Sequence, residues 1–184
     1  MAKSNVKILQ IITAVAYVIL GILNFTPVFT FSGIGEIKEY ISDILDMDLS
    51  FSFSEGYSLL GEAEDIDGLG TIPVIIGILI FIAALLIILP LLTGKKPRVA
   101  LPIIISVFAL LFMLGSFGFF LAVFEEATDG VSYRGVSPAL TAGGIFYIVL
   151  SIATIVLSAN IRSKTRKQRT INQAISYQNQ QYYQ

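Results

Sequence analysis

The sequence predicts an all-α membrane protein: a left-handed four-helix transmembrane bundle with a small extracellular β-sheet and an amphipathic helix. The 184 residues are 55% hydrophobic and only 14% charged, and the mean hydropathy is +0.80. Four uncharged, apolar runs are long enough to cross a bilayer, which takes roughly 20 residues. A soluble domain of this length needs far more charge on its surface. Together these observations place the chain in a membrane.

The first span follows a short polar start, and the two together occupy residues 1–26. About 21 apolar residues reach roughly 31 Å as a helix. A cleaved signal peptide is the alternative, but its apolar region is about 7 to 15 residues long and ends in small residues. This run is longer and ends in Asn24-Phe25-Thr26-Pro27. An uncleaved span is therefore predicted, and the sequon that begins at Asn24 is not expected to be accessible.

The second span is predicted over residues 72–92. Thr71 is its predicted N-cap, and Pro73 falls within the first turn, where a missing N–H costs little. Residues 93–99 then form a short basic link to the third span.

The third span is predicted over residues 100–124 and the fourth over residues 139–160. Between them, residues 125–138 form a second polar segment, which is acidic. The tail, residues 161–184, is basic at first and then rich in Gln, Asn and Tyr without apolar periodicity. Such a composition predicts a disordered, cytoplasmic tail.

The distribution of charge predicts the orientation. Ten of the 12 basic residues fall on one predicted side of the membrane, and only Lys38 and Arg134 fall on the other. Every Asp and Glu lies in the two segments on that second side. Because short basic segments are retained in the cytoplasm, both termini are predicted to be cytoplasmic and both acidic segments to lie outside the plasma membrane.

The residue types argue against an enzyme, and no catalytic residue or cofactor is predicted. The chain contains no His and no Cys, which removes the commonest general base and every thiol nucleophile. No Asp, Glu, Lys or Arg lies deep in a span, whereas pumps and ion-coupled carriers usually need one there. Ser and Tyr without a base are weak candidates for covalent catalysis.

Small and polar residues recur with a period near 3.5 in the first and fourth spans, as in left-handed helix packing in lipid. If the two helices pack antiparallel, one register pairs the residues by depth. The predicted pairs are Gln10 with Thr154, Ala14 with Ser151, Tyr17 with Tyr147, and Gly21 with Gly144. The alternative is a general preference for small residues in lipid-embedded helices.

The long acidic segment, residues 27–71, is where the chain departs most from what lipid requires. Residues 29–32 and 49–54 alternate apolar and polar side chains, which predicts two strands, and residues 131–133 predict a third. Between the first two, four isoleucines recur at helical spacing and predict an amphipathic helix whose apolar stripe is a candidate interface. These are Ile34, Ile37, Ile41 and Ile44.

Two charged clusters are candidate sites. Acidic residues near the end of the long segment form a weak Ca²⁺ candidate, although their spacing matches no EF-hand loop and solvation alone is the alternative. They are Glu62, Glu64, Asp65 and Asp67. A basic run after the fourth span is expected either to bind anionic headgroups of the inner leaflet or only to enforce topology. It comprises Arg162, Lys164, Arg166, Lys167 and Arg169.

Four spans with both ends inside, a long first external segment, a short second one and strands in both form a layout that resembles the claudin and PMP22 group. The external Trp, Gly-Leu-Trp and paired Cys of that group are missing, because the chain has no Trp and no Cys. Residues 56–60, Gly-Tyr-Ser-Leu-Leu, resemble the Gly-Leu-Trp motif only weakly. The resemblance therefore implies an architecture and no functional residues.

The leading functional hypothesis is a non-enzymatic scaffold or barrier protein that assembles with itself, or with a membrane or extracellular protein, through its external domain. One alternative is an oligomeric pore-forming channel subunit. Another is an accessory or immunity protein that captures an extracellular ligand. No nucleic-acid partner is expected.

Overall fold

The computed structural model describes residues 2–32, 50–63, 69–95, 97–127 and 137–181. The helices within these ranges are α1 (Ala2–Leu23), α2 (Phe53–Ala63), α3 (Thr71–Thr93), α4 (Ala100–Ala127) and α5 (Ala142–Gln181). The strands are β1 (Phe29–Ser32), β2 (Ser50–Phe51) and β3 (Ser137–Leu140).

The four long helices form the predicted bundle. Each of α1, α3, α4 and α5 contains a stretch that is long and apolar enough to cross a membrane. Around the bundle, α1 packs against α3 and α5, and α4 packs against the same two helices, so α1 and α4 lie diagonally opposite. The chain is thus a multi-pass membrane protein, and the predicted fold class is confirmed.

Large apolar side chains point outward from all four long helices. Ile12 is 51% exposed, Ile75 54%, Leu111 60% and Phe146 61%. In water, such a continuous apolar surface would drive aggregation. In a bilayer it is the surface that lipid chains cover.

The three strands form one antiparallel sheet in the order β2-β1-β3. Phe29 of β1 pairs with Phe51 on one side and with Leu140 on the other. The sheet therefore joins the segment after α1 to the segment before α5. We call the end of the bundle that carries it the sheet end, and the opposite end, where α3 connects to α4 and α5 continues past the bundle, the tail end.

One predicted strand is shorter than expected because a helix begins within it. The alternation over residues 49–54 predicted a strand, but β2 covers only Ser50–Phe51 and α2 begins at Phe53. The reason is a capping box: the Ser52 N–H donates to Glu55 Oε2 at 2.6 Å, and the Glu55 N–H reaches Ser52 Oγ at 3.4 Å. This reciprocal pair satisfies two backbone donors and starts a helix where periodicity alone continued a strand.

Two helix starts differ from the predictions. Gly70, not Thr71, is the N-cap of α3, because the turn in which the Ile72 N–H donates to the Leu69 carbonyl at 3.1 Å begins the helix earlier. At the other start, the fourth span was predicted from residue 139, but residues 137–140 form β3. Thr141 caps α5 instead, since its Oγ1 accepts the Gly144 N–H at 3.1 Å.

The tail is helical where disorder was predicted. α5 continues without a break from the span to Gln181. No Gly or Pro follows Gly144, so nothing in the sequence stops a helix that the span has already nucleated. Arg, Lys and Gln are also good helix formers.

Candidate functional site

The predicted packing residues lie inside the bundle. Tyr17, Tyr147, Ser151 and Thr154 are all 0% exposed. Gln10 and Ala14 are 4% and 2% exposed, and the two predicted glycines are buried as well. α1 and α5 pack directly on each other. The polar seams of the two helices therefore face the interior rather than lipid.

Near the tail end, the Tyr17 hydroxyl joins three helices. It donates to the Pro102 carbonyl of α4 at 2.8 Å and accepts from Ser106 Oγ at 2.7 Å. Ser158 Oγ of α5 lies 3.2 Å from it, and Ser106 Oγ lies 2.9 Å from Thr154 Oγ1. Ser106 donates to Tyr17 and Tyr17 donates to the Pro102 carbonyl, whereas Thr154 Oγ1 donates to the Ser151 carbonyl at 2.9 Å. Such chains polarise one another and are stronger than isolated hydrogen bonds. We call this group the hydroxyl cluster.

Near the sheet end, Asn24 connects the end of α1 to two other helices. Its Nδ2 donates to the Pro73 carbonyl of α3 at 2.8 Å, and its Oδ1 accepts from the Tyr147 hydroxyl of α5 at 3.3 Å. Asn24 is 0% exposed, in agreement with the expectation that its sequon is inaccessible. Within the described residues, no buried side-chain nitrogen or oxygen lacks a partner.

The hydroxyl contacts are displaced from the predicted depth pairs. The Tyr17 hydroxyl meets Ser158 rather than Tyr147, and the Tyr147 hydroxyl meets Asn24. Helical side chains lean toward the N-terminus of their own helix. In two antiparallel helices, the two tyrosines therefore diverge, one toward each end of the bundle.

The two paired glycines do not face each other. A Cβ on Gly21 would lie 2.8 Å from the Phe81 ring of α3. A Cβ on Gly144 would instead collide with the Val28 carbonyl oxygen and lie 3.2 Å from Met113 Cε. Each glycine allows a close approach, but the approaching groups belong to α3 and to the backbone after α1. The pairing of Gly21 with Gly144 in depth stays a prediction.

The contact between α1 and α3 was not predicted from the sequence. A Cβ on Gly77 of α3 would lie 2.5 Å from the Phe25 ring, which mirrors the contact of Gly21 with Phe81. Each helix thus presents a glycine and, four residues later, a phenyl ring that covers the other helix's glycine. A sequence signal exists, because residues 18–25 and 74–81 both read Val-Ile-x-Gly-Ile-Leu-x-Phe.

Aromatic rings attach the sheet to the bundle. The Phe29 ring of β1 lies 5.2 Å from Phe53 of α2 and 4.9 Å from Phe120 of α4. Phe53 in turn contacts Tyr147 of α5 with ring centroids 5.4 Å apart. These distances are typical of favourable aromatic pairs. A further polar contact joins α2 to α4, where Tyr57 Oη lies 3.0 Å from Ser116 Oγ.

Three of the sequence candidates fall wholly or mostly outside the described residues. The apolar stripe Ile34, Ile37, Ile41 and Ile44 lies outside them, as do the strand predicted over residues 131–133 and three of the Ca²⁺ candidates, Glu64, Asp65 and Asp67. Glu62 lies in α2. Among the described residues, no group of three or more His, Cys, Asp or Glu is placed to hold a metal ion.

Comparisons with protein-family models, curated proteins and solved structures found no match to this chain. The buried hydroxyl groups and the side-chain amide of Asn24 form hydrogen bonds with one another and with backbone carbonyls. No charged group takes part in these hydrogen bonds. Such an arrangement fixes helices in place.

Proposed function

We propose that this protein is a non-enzymatic tetraspan scaffold that assembles with itself, or with a membrane or extracellular protein, through the segments at its sheet end. The observation that carries the proposal is the hydrogen-bonded interior beneath a sheet that unites both segments. Among the described residues, every buried side-chain nitrogen and oxygen has a partner within the protein, which supports a structural role for the interior. Its specific chemistry then belongs to the surface that the sheet end presents.

The absence of catalysis is part of this proposal. The buried Tyr17, Ser106 and Thr154 hydroxyls have no base beside them among the described residues, since their partners are hydroxyls and carbonyls. A hydroxyl without a base is a poor nucleophile.

We further propose that the sheet end lies outside the plasma membrane and that both termini are cytoplasmic. The support is the segregation of charge, with ten of the 12 basic residues on the tail-end side. Because the chain has no cysteine, single-cysteine variants map the topology cleanly. Ser58→Cys in α2 is expected to react with an impermeant maleimide in whole cells, and Ser176→Cys in α5 only after the cells are opened. The reverse pattern would refute the orientation.

The surface proposed for assembly is the stripe Ile34, Ile37, Ile41 and Ile44. Mass photometry of the full chain in nanodiscs and in detergent measures the oligomeric state. A self-assembling scaffold forms a defined oligomer that Ile37→Ser/Ile41→Ser dissociates and the matched polar-face variant Glu36→Ser/Glu39→Ser does not. A monomer at every concentration would remove self-assembly and leave capture of a different protein.

A pore is the competing function, and the packed interior argues against a path through one bundle. Tyr17, Leu20, Ile80 and Met113 are all 0% exposed there. Ion and solute flux into proteoliposomes tests an oligomeric path, and flux that requires the protein would replace the scaffold proposal. The resemblance to the claudin and PMP22 group stays a proposal about architecture, supported by the sheet built from both segments.

A further inference from the structure

The part of α5 beyond the bundle carries charge of one sign only. Ile161 is fully buried, whereas the five basic residues that follow it within eight positions are exposed. No Asp or Glu occurs after residue 129. The basic side chains therefore have no carboxylate on their own helix with which to pair.

Continuation of the helix gives these charges a definite arrangement. At 3.6 residues per turn, Arg162, Arg166 and Arg169 lie along one face, because they are spaced four and three residues apart. Lys164 and Lys167 are also neighbours, three residues apart, and lie roughly on the opposite face. Positive charge thus surrounds the helix instead of forming a stripe. We call these five residues the basic collar.

The position of the basic collar matches the headgroup layer of a bilayer. From Arg162 to Arg169 the helix rises about 10 Å. A headgroup layer is roughly 5 to 8 Å thick on each side of the hydrocarbon core. Long, flexible Lys and Arg side chains extend their charges along the membrane normal by snorkelling. All five charges are therefore within reach of the phosphates around the helix.

We propose that the basic collar binds the phosphate groups of anionic phospholipids on all sides of α5. A protein partner would engage one face of the helix, whereas a headgroup layer encloses it, and the charges occupy both faces. The inference depends on the multi-pass fold and on the helical tail. It does not depend on which partner the sheet end binds.

Spin labels on both sides of the helix test the proposal in the full chain. Ser163→Cys and Thr165→Cys lie about 200° apart within the collar, and Ser176→Cys lies about 20 Å beyond Ser163 along the helix. Each labelled protein is placed in nanodiscs of phosphatidylcholine, with or without phosphatidylglycerol. The measurement is the accessibility of the label to a water-soluble nickel chelate. The anionic lipid is expected to shield both collar labels and leave the distal label unchanged.

Salt separates charge from simple insertion without changing the protein. The screening length is about 10 Å at 0.1 M salt and about 3 Å at 1 M. Shielding at both collar positions is therefore expected to be lost at high salt. Shielding that survives 1 M salt, or that appears on only one side of the helix, would overturn the collar. The proposal would also be overturned if phosphatidylglycerol did not change the accessibility of the collar labels. Spin–spin broadening at Ser163→Cys in both lipids would overturn it too, because it would indicate that a second copy of the chain packs on this helix.

Charge variants test whether both faces contribute. Arg162→Gln/Arg166→Gln/Arg169→Gln is expected to lose about three fifths of the shielding and Lys164→Gln/Lys167→Gln about two fifths, if charges near an anionic surface contribute similarly. The matched control Lys95→Gln/Lys96→Gln/Arg98→Gln removes three charges from the neighbouring link and should leave the collar labels unchanged. An effect confined to one face, or an equal effect of the control, would contradict the proposal.

Discussion

Toward α3, helix α1 packs by placing glycines beneath phenyl rings, whereas toward α4 and α5 it packs through hydrogen bonds. On the first face, Gly21 and Gly77 each receive a ring from the opposite helix. On the second face, the Tyr17 hydroxyl bonds to groups of α4 and α5. Just past the end of α1, Asn24 adds one bond to α3 and one to α5. The two faces belong to the same helix and are embedded in the same bundle.

The difference shows two ways to hold helices together where burial of apolar area gives little. Lipid tails are as apolar as Leu, so association depends on close approach or on interhelical hydrogen bonds. The phenyl rings are neighbours that can yield, since Phe25 is 45% exposed and can turn toward lipid. The hydrogen-bonded atoms have no such freedom. Substitutions on the two faces should therefore differ in their cost in unfolding free energy.

The largest loss of unfolding free energy is expected for a substitution at Gly144, which contacts the backbone after α1. In Gly144→Val, the new side chain would collide with the Val28 carbonyl, which also accepts the Thr141 N–H at 3.0 Å and so cannot move freely. Overpacking of this kind costs about 3 kcal/mol. The measurement is unfolding in mixed micelles with increasing denaturing detergent.

Gly118→Val is the matched control for that substitution. Gly118 lies on α4, and a Cβ added there would meet no described heavy atom within 4 Å, so the added methyls enter lipid. Its unfolding free energy is expected to change little. Equal losses in the two variants would mean that the contact with Val28 does not constrain the bundle.

Asn24→Ala is expected to have the next largest effect, a loss of about 2 kcal/mol, because it removes bonds to both α3 and α5. Tyr147→Phe removes only the bond to α5 and should cost about half as much. The same detergent unfolding experiment compares them. If the two variants lose the same amount, the bond from Asn24 to the Pro73 carbonyl contributes nothing to stability.

Tyr17→Phe is expected to lose about 1 kcal/mol, because it removes the centre of the hydroxyl cluster without creating a cavity. Tyr57→Phe is the comparison, since its hydroxyl has Ser116 as the partner and is only partly buried. A double-mutant cycle of Tyr17→Phe with Ser106→Ala should show coupling. Additive losses would indicate that the cluster acts as separate bonds instead of a chain.

The sequence was most informative where a requirement of lipid repeats along a whole helix. Apolar length predicted the four spans, and the period of small and polar residues placed Tyr17 and Tyr147 in the interior, where both are 0% exposed. The same period could not predict their partners. A tyrosine hydroxyl lies about a turn from its own Cα, in a direction that depends on helix polarity.

Short signals for helix starts and helix packing were missed where a longer sequence pattern predicted a different structure. The alternation over residues 49–54 favoured a strand, although Ser52 and Glu55 already form a capping box three residues apart. The Gln-rich tail favoured disorder, although the helix before it has no stop signal. Phe25 and Phe81 do not belong to the period of small and polar residues, and only the repeat of residues 18–25 in residues 74–81 marks them as packing groups.

The smallest effect is expected at Gly77, where the neighbour can move. A Cβ in Gly77→Ala would lie 2.5 Å from the tip of the Phe25 ring, which can swing outward, and 3.0 Å from Asn24 Nδ2, which has to shift by a few tenths of an ångström. Ala is a better helix former than Gly by about 1 kcal/mol. The two terms offset each other, so the unfolding free energy should change by less than about 1 kcal/mol. Phe25→Ala in the same chain should then cost less than it does alone, because the ring has already been displaced. If Gly77→Ala instead destabilises the bundle as much as Gly144→Val, the phenyl rings are held as rigidly as the backbone, and the two faces of α1 do not differ in the way that their contacts indicate.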